Sequence, residues 1–213
     1  MKIKVCGLKY PDNIYDVTDL APDYVGFIYY GCSPRFVGDI AADTLSNVPS
    51  SIIKTAVFVD ESESEINRLI NELGFNAIQL HGNESPDFVN AFKGRVQVIK
   101  AFGVNEDFDF EQLNDYAGKV DYFLFDTKTD VHGGSGKTFN WDILNDYKLY
   151  VPFFLSGGLS PDNIEQITKI THPQFYGVDL NSKFEVSPGL KDIEKLKKAF
   201  GQIKQYTTHE IRS

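Results

Sequence analysis

"KIKVCGLKYPDN" (residues 2–13) is the stretch on which the reading of the fold turns. Lys2 to Cys6 make a short strand, Gly7 ends it, and a turn with a helix-start signal at Pro11–Asp12 follows. An open doubly wound sheet usually carries a G-x-G-x-x-G turn after its first strand. "CGLKYPDN" stands there instead, which favours a closed barrel.

Outward from this unit, strand-like runs recur at 23–29, 52–59, 76–80, 96–100, 121–125, 152–155 and 175–180. The segments between them read mostly as amphipathic helices. "SEINRLINELG" (64–74) spaces Ile66, Leu69, Ile70 and Leu73 at helical intervals and stops at Gly74. "SPDNIEQITKI" (160–170) opens with a helix-start signal. "LKDIEKLKKAF" (190–200) puts Leu190, Ile193, Leu196 and Phe200 on one helix face. Eight strand–helix units predict an α/β protein built as one (β/α)8 TIM barrel over residues 1–213, in which 201–213 form a polar tail that frays.

Composition narrows the function. The 213 residues carry a net charge of −9 at pH 7, which argues against a nucleic-acid partner but not against a small anionic ligand. No apolar run is long enough to span a bilayer and no leader opens the sequence, so a cytoplasmic protein without membrane contact is expected. The two cysteines, Cys6 and Cys32, lie in no zinc-like pattern, so neither a metal nor a disulfide is expected. Monomer and homodimer both fit the pattern.

In a barrel of this kind function sits at the C-terminal strand ends. On the first strand Lys2, Lys4 and Cys6 share the inner side while Ile3 and Val5 face the helices. A lysine beside a cysteine favours the thiolate, a candidate base or nucleophile, although a small thiol can also be mere packing. On the sixth strand Asp126 follows Tyr122 and Leu124 on one face. A carboxylate at an apolar strand end is desolvated, which suits a general acid; a loop cap or a partner for Lys4 is the other reading. Arg35, behind Pro34, offers a fork for a carboxylate, and His81 shares a face with Gln79. Gly157–Gly158, and then Asp179, Asn181 and Ser182, form two polar loops in the places where such barrels bind phosphate. "GSGKT" inside "HGGSGKTFNW" (132–141) is not a triphosphate loop, because Val131 stands where glycine is required. A substrate loop or lid is expected there.

Taken in order, "KVCGL", "SPRFV", "IQLHGNE", "LFDTK", "GGSGKTFNW", "LSGGLSPDNI" and "GVDLNSKFEVSPGLKD" resemble the phosphoribosylanthranilate isomerase family from residue 4 to residue 192. The resemblance implies a barrel without a cofactor that converts N-(5-phosphoribosyl)anthranilate to 1-(2-carboxyphenylamino)-1-deoxyribulose 5-phosphate, an Amadori rearrangement of tryptophan biosynthesis. It implies Cys6 as general base, Asp126 as general acid, Arg35 as the grip on the anthranilate carboxylate, and the loops at 157–158 and 181–182 as the phosphate site. Asn181 and Lys183 depart from the small residues of the pattern. Another phospho-sugar barrel enzyme, or a phosphate-ligand binder without turnover, are the competing readings. The first would use paired aspartates or a lysine, and Cys6 on the first strand speaks against both.

Overall fold

The computed structural model describes residues 1–38, 40–127 and 140–210, with side chains through 205. Eight parallel strands close on one another in chain order: β1 (Lys2–Cys6), β2 (Tyr24–Ile28), β3 (Ile53–Phe58), β4 (Ala77–Leu80), β5 (Gln97–Val104), β6 (Tyr122–Thr127), β7 (Phe153–Leu155) and β8 (Phe175–Leu180). The last strand pairs with the first and sets Lys4 opposite Asp179.

Alternation sorts each strand into two layers. Ile3, Val5, Phe27, Phe58, Phe123 and Phe125 point outward into the core shared with the helices. Tyr24, Ile99, Ala101, Leu124 and Phe154 point inward, joined by Tyr122 and Tyr176. These rings pack edge to face, Tyr24 on Phe154 at 5.2 Å, and plug the N-terminal half of the barrel. Above the plug the inward residues become polar, and the interior opens toward the C-terminal mouth. Gly26, paired with Cys6 across β1 and β2, gives the thiol its room: a Cβ there would lie 2.7 Å from Cys6 Sγ.

The connections are α1 (Pro11–Thr18), α2 (Ala42–Ser46), α3 (Glu63–Leu73), α4 (Pro86–Asn90) and a closing α5 (Ile193–Glu210). α3 matches its expected span: Ser62 caps the Glu65 N–H, and Gly74 ends the helix with a left-handed backbone. Other boundaries differ. The connection after β7 is a 3-10 helix, Ile164–Lys169, not an α-helix from 160. The segment 190–200 is not helical throughout, because Pro188 and Gly189 turn the chain back. Leu190–Lys191 (β10) then pairs antiparallel with Glu185–Ser187 (β9), and Asn13 Oδ1 accepts from the Lys191 N–H at 2.6 Å. Beyond Phe200, where a tail was expected, α5 continues to Glu210. Among the described residues no helix is long and apolar enough to cross a membrane.

Candidate active site

A cavity of about 610 Å³ opens at the C-terminal mouth of the barrel. Cys6 from β1, Arg35 after β2, His81 after β4 and Asp126 on β6 line it. So do Gly157 and Gly158 after β7, Asp179 on β8, and Asn181 and Ser182 beyond it. The fold thus brings nine of the ten predicted residues to one space. The tenth, Lys4, lies beneath the floor, fully buried. The expected lid at 132–140 lies outside the described residues, except for Asn140.

The floor is ionic. Lys4 Nζ donates to Asp179 Oδ2 at 2.9 Å and to Gln79 Oε1 at 2.8 Å. Asp179 lies on β8, within the expected strand run, and its other oxygen is buried without a hydrogen-bond partner among the described residues. Burial lowers the Lys4 ammonium, yet the charges of Asp179 and Cys6 more than restore it, and Lys4 stays above its ordinary value. For Asp179 burial dominates and pushes its carboxyl up despite the lysine.

At Cys6 the lysine's pull toward the thiolate is opposed by burial. Burial pushes its thiol up, and Asp179 adds to this; Lys4 and Lys191 pull the other way without overcoming it. The thiol therefore sits above its ordinary range, chiefly because it is buried, with the charge of Asp179 adding to the effect. A neighbouring lysine alone does not make a standing thiolate here. Cys32 is an exposed free thiol.

Asp126 behaves as expected of a desolvated acid. Burial, reinforced by the charge of Asp179, pushes its carboxyl up to about 6, against the Thr127 N–H bond and the pull of Lys4. Solvent still reaches 28% of the side chain through the mouth. His81 faces this acid, Nε2 to Oδ2 at 3.5 Å. The Lys4 ammonium can only donate, so it fixes Gln79 with its oxygen toward Lys4 and its NH2 toward His81 Nδ1, at 3.0 Å. Nδ1 must then accept, which leaves the imidazole proton on Nε2, directed at Asp126. His81 is thus tied to the acid through its Nε2.

At the opposite wall Gly157 and Gly158 have φ of 81° and 68°, and neither N–H meets an acceptor among the described residues. Asn163 holds their loop, donating to Gly158 O at 2.9 Å and accepting from Ser160 N–H at 2.8 Å. The cradle is made of loop amides; the helix that was expected to follow closely starts only at Ile164. A Cβ on Gly157 would fall 2.3 Å from Thr127 N and 2.5 Å from Asp126 Oδ1. Gly157→Ala is therefore expected to cost about 1–3 kcal/mol of stability through backbone strain and to displace the acid, lowering kcat about 100-fold. Thermal melts and steady-state kinetics check this, and a wild-type kcat would count against it.

Some residues of the site were missed in the sequence. Arg35 does not stand alone: Glu185 accepts from its Nε at 2.9 Å and from its Nη2 at 2.7 Å. Lys191, placed on a helix surface by the sequence pattern, is buried and joins Glu185 at 2.7 Å and Asn181 Oδ1 at 2.8 Å. Lys100 is buried against Glu84 at 3.0 Å. A lysine within an apolar strand was the one signal that could have revealed it. Lys183, in contrast, is exposed.

Comparison with known proteins bears on this site. Residues 3–202 match the family model described as N-(5'-phosphoribosyl)anthranilate (PRA) isomerase. The N-(5'-phosphoribosyl)anthranilate isomerase of Parabacteroides distasonis is 45% identical over 206 residues, covering 95% of this chain and 93% of its own. The crystal structure of phosphoribosyl anthranilate isomerase from Thermotoga maritima superposes with a TM-score of 0.82 at 32% identity, covering 96% of this chain and 99% of that one. A further isomerase structure, holding reduced 1-(o-carboxyphenylamino)-1-deoxyribulose 5-phosphate, superposes with a TM-score of 0.80 at 27% identity, covering 96% and 99%.

Proposed function

We propose that this chain, which belongs to the N-(5'-phosphoribosyl)anthranilate isomerase family, carries out the family's reaction with Asp126 as general acid and Cys6 as general base. It is an isomerase of tryptophan biosynthesis that turns N-(5-phosphoribosyl)anthranilate into 1-(2-carboxyphenylamino)-1-deoxyribulose 5-phosphate. The observation that carries the residue roles is a raised carboxyl and a thiol on one cavity between two anion grips, Arg35 and the Gly157–Gly158 amides.

In this scheme Asp126, protonated, gives its proton to the ribose ring oxygen as the C1–O bond breaks. The nitrogen lone pair closes the Schiff base, and Asp126 is left as carboxylate. Cys6, as thiolate, takes the proton from C2, and the electron pair neutralises the iminium to an enol-amine. Ketonisation moves the enol proton to C1 and yields the product. A proton passed from the thiol to the carboxylate, directly or through solvent, resets the pair. His81, with its proton on Nε2, stabilises the Asp126 carboxylate as it forms. No external oxidant or reductant and no metal-bound intermediate is needed, because C2 is oxidised as C1 is reduced within one molecule.

Arg35 would take the carboxylate of the anthranilate ring, beside the apolar Ile28 and Val57 of the same wall. The amides of Gly157, Gly158 and Ser182 would take the phosphate, with Asn181 pinned by Lys191 at the edge of that grip. The substrate of the family is small and carries two anionic groups, a carboxylate and a phosphate, which a cavity of this charge pattern suits better than it suits a nucleic acid. Turnover followed by anthranilate fluorescence tests the reading. Wild type should convert substrate, and Arg35→Ala should raise KM by about 10- to 100-fold with a smaller loss in kcat, the signature of lost charge-assisted binding. An unchanged KM would remove Arg35 from the binding of substrate.

A further inference from the structure

Glu185 lies within the last family-like stretch of the sequence but carries no implied role there, and it does not line the cavity; it is paired instead with Arg35, which does. Its two oxygens take the side edge of the guanidinium: Oε1 accepts from Nε at 2.9 Å, and Oε2 accepts from Nε at 3.0 Å and from Nη2 at 2.7 Å. An arginine has five N–H groups in a fixed plane. Once the side edge is occupied, the end edge remains, two N–H groups on Nη1 and one on Nη2. That end is itself a bidentate carboxylate site.

The rest of the surroundings support Arg35 in this pose. Its side chain is 12% exposed and that of Glu185 4%. A Cβ on Gly7 would lie 2.8 Å from Arg35 Cδ, so the arginine stem rests on the backbone that follows Cys6. Glu185 is fixed in turn by Lys191 at 2.7 Å and by the Gly189 N–H at 3.1 Å. Burial would raise its carboxyl, but the hydrogen bonds and charges of Arg35 and Lys191 hold it below the ordinary carboxylate value. Lys191 also grips Asn181, so one buried chain of contacts runs from the arginine to the loop after β8.

We propose that Glu185 is a positioning residue: it holds Arg35 side-on and thereby presents the arginine's end-on N–H groups to the substrate carboxylate. This rests on the isomerase reading of the site and extends it to a residue outside the cavity. A second carboxylate on the same guanidinium would be unwelcome in isolation, but Lys191 compensates the charge of Glu185 and leaves the arginine's own charge for the ligand.

Two variants test it, with thermal melts as a check on folding. Glu185→Gln keeps the shape and loses the charge; Glu185→Asp keeps the charge and withdraws it by one methylene. Turnover of N-(5-phosphoribosyl)anthranilate is measured together with equilibrium binding of two reduced product analogues, one with the ring carboxylate and one without. Glu185→Gln should raise KM about tenfold with kcat changed less than about threefold, and weaken only the carboxylate-bearing analogue. Glu185→Asp should fall between it and wild type. An unchanged KM, equal weakening of both analogues, or a loss confined to kcat each overturns the proposal. If Glu185→Gln does not fold, the same criteria applied to Glu185→Asp decide. Failure of the isomerase reading would look different: wild type would show no turnover at all, whatever the binding of the analogues.

Discussion

Asp126→Asn is expected to abolish turnover while making the protein more stable. Loss of a general acid costs roughly 10²- to 10⁴-fold in rate, and asparagine has no proton to give to a ring oxygen. The gain in stability follows from the same environment that makes the acid useful. The folded state raises the carboxyl from its ordinary 3.8 to about 6, so it binds the proton more tightly than the unfolded chain does. Its favourable contribution is complete below pH 3.8 and disappears as pH rises through about 6. At pH 7 the native protein therefore carries an ionised carboxylate that its surroundings disfavour. Each unit of such a shift is worth about 1.4 kcal/mol, and with the side chain 28% open to solvent a net cost of about 2 kcal/mol is reasonable. The neutral asparagine can still accept the Thr127 N–H and avoids that cost. Melts at pH 7 should place the variant some 4–8 °C above wild type, and melts near pH 4 should bring the two together. A variant that turns over within tenfold of wild type, or that is less stable at pH 7, would sink the assignment.

This opposition of stability and chemistry bears on what a sequence can reveal. The barrel was legible because eight apolar runs at regular spacing have one economical closure, and because Ile3 and Val5 contrast with Lys4 and Cys6 on a single strand. The inward-facing acid was legible for the same reason, since Tyr122, Leu124 and Asp126 alternate with Phe123 and Phe125. Local pattern failed where a tertiary contact decides. Lys191 reads as the exposed start of a helix, and only the hairpin fixed by Asn13 turns it inward. Glu185 gives no sign in the sequence of its partner, because Arg35 arrives from a loop 150 residues earlier. The raised thiol of Cys6 was hidden too, because the sequence shows its neighbour Lys4 but neither the full burial that dominates nor the pairing of β1 with β8 that brings up Asp179.

That pairing also dictates the second large effect, the loss of activity in Cys6→Ser, and the pH profile that must accompany it. The acid, at about 6, titrates below the base, whose thiol lies above its ordinary range. Most molecules at neutral pH therefore hold the proton on Cys6 and not on Asp126, and the productive arrangement, with the proton on Asp126, is a minority form. Between the two titrations the ratio of these forms is fixed, because each contains one proton. Consequently kcat/KM should climb through half-height near pH 6, level off above it, and fall only above the ordinary thiol range. The ascending limb belongs to Asp126 even though that residue acts in its protonated form: below pH 6 both groups are protonated and the base is lost. Serine at position 6 preserves the space beside Gly26 but replaces a thiol by a far weaker acid, so turnover should drop by about 10³-fold or more and the alkaline limb should vanish. If Cys6→Ser kept that limb, or kept a rate near wild type, the proton at C2 would have to be leaving to some group other than sulfur, and the division of labour between the two strand ends would be wrong.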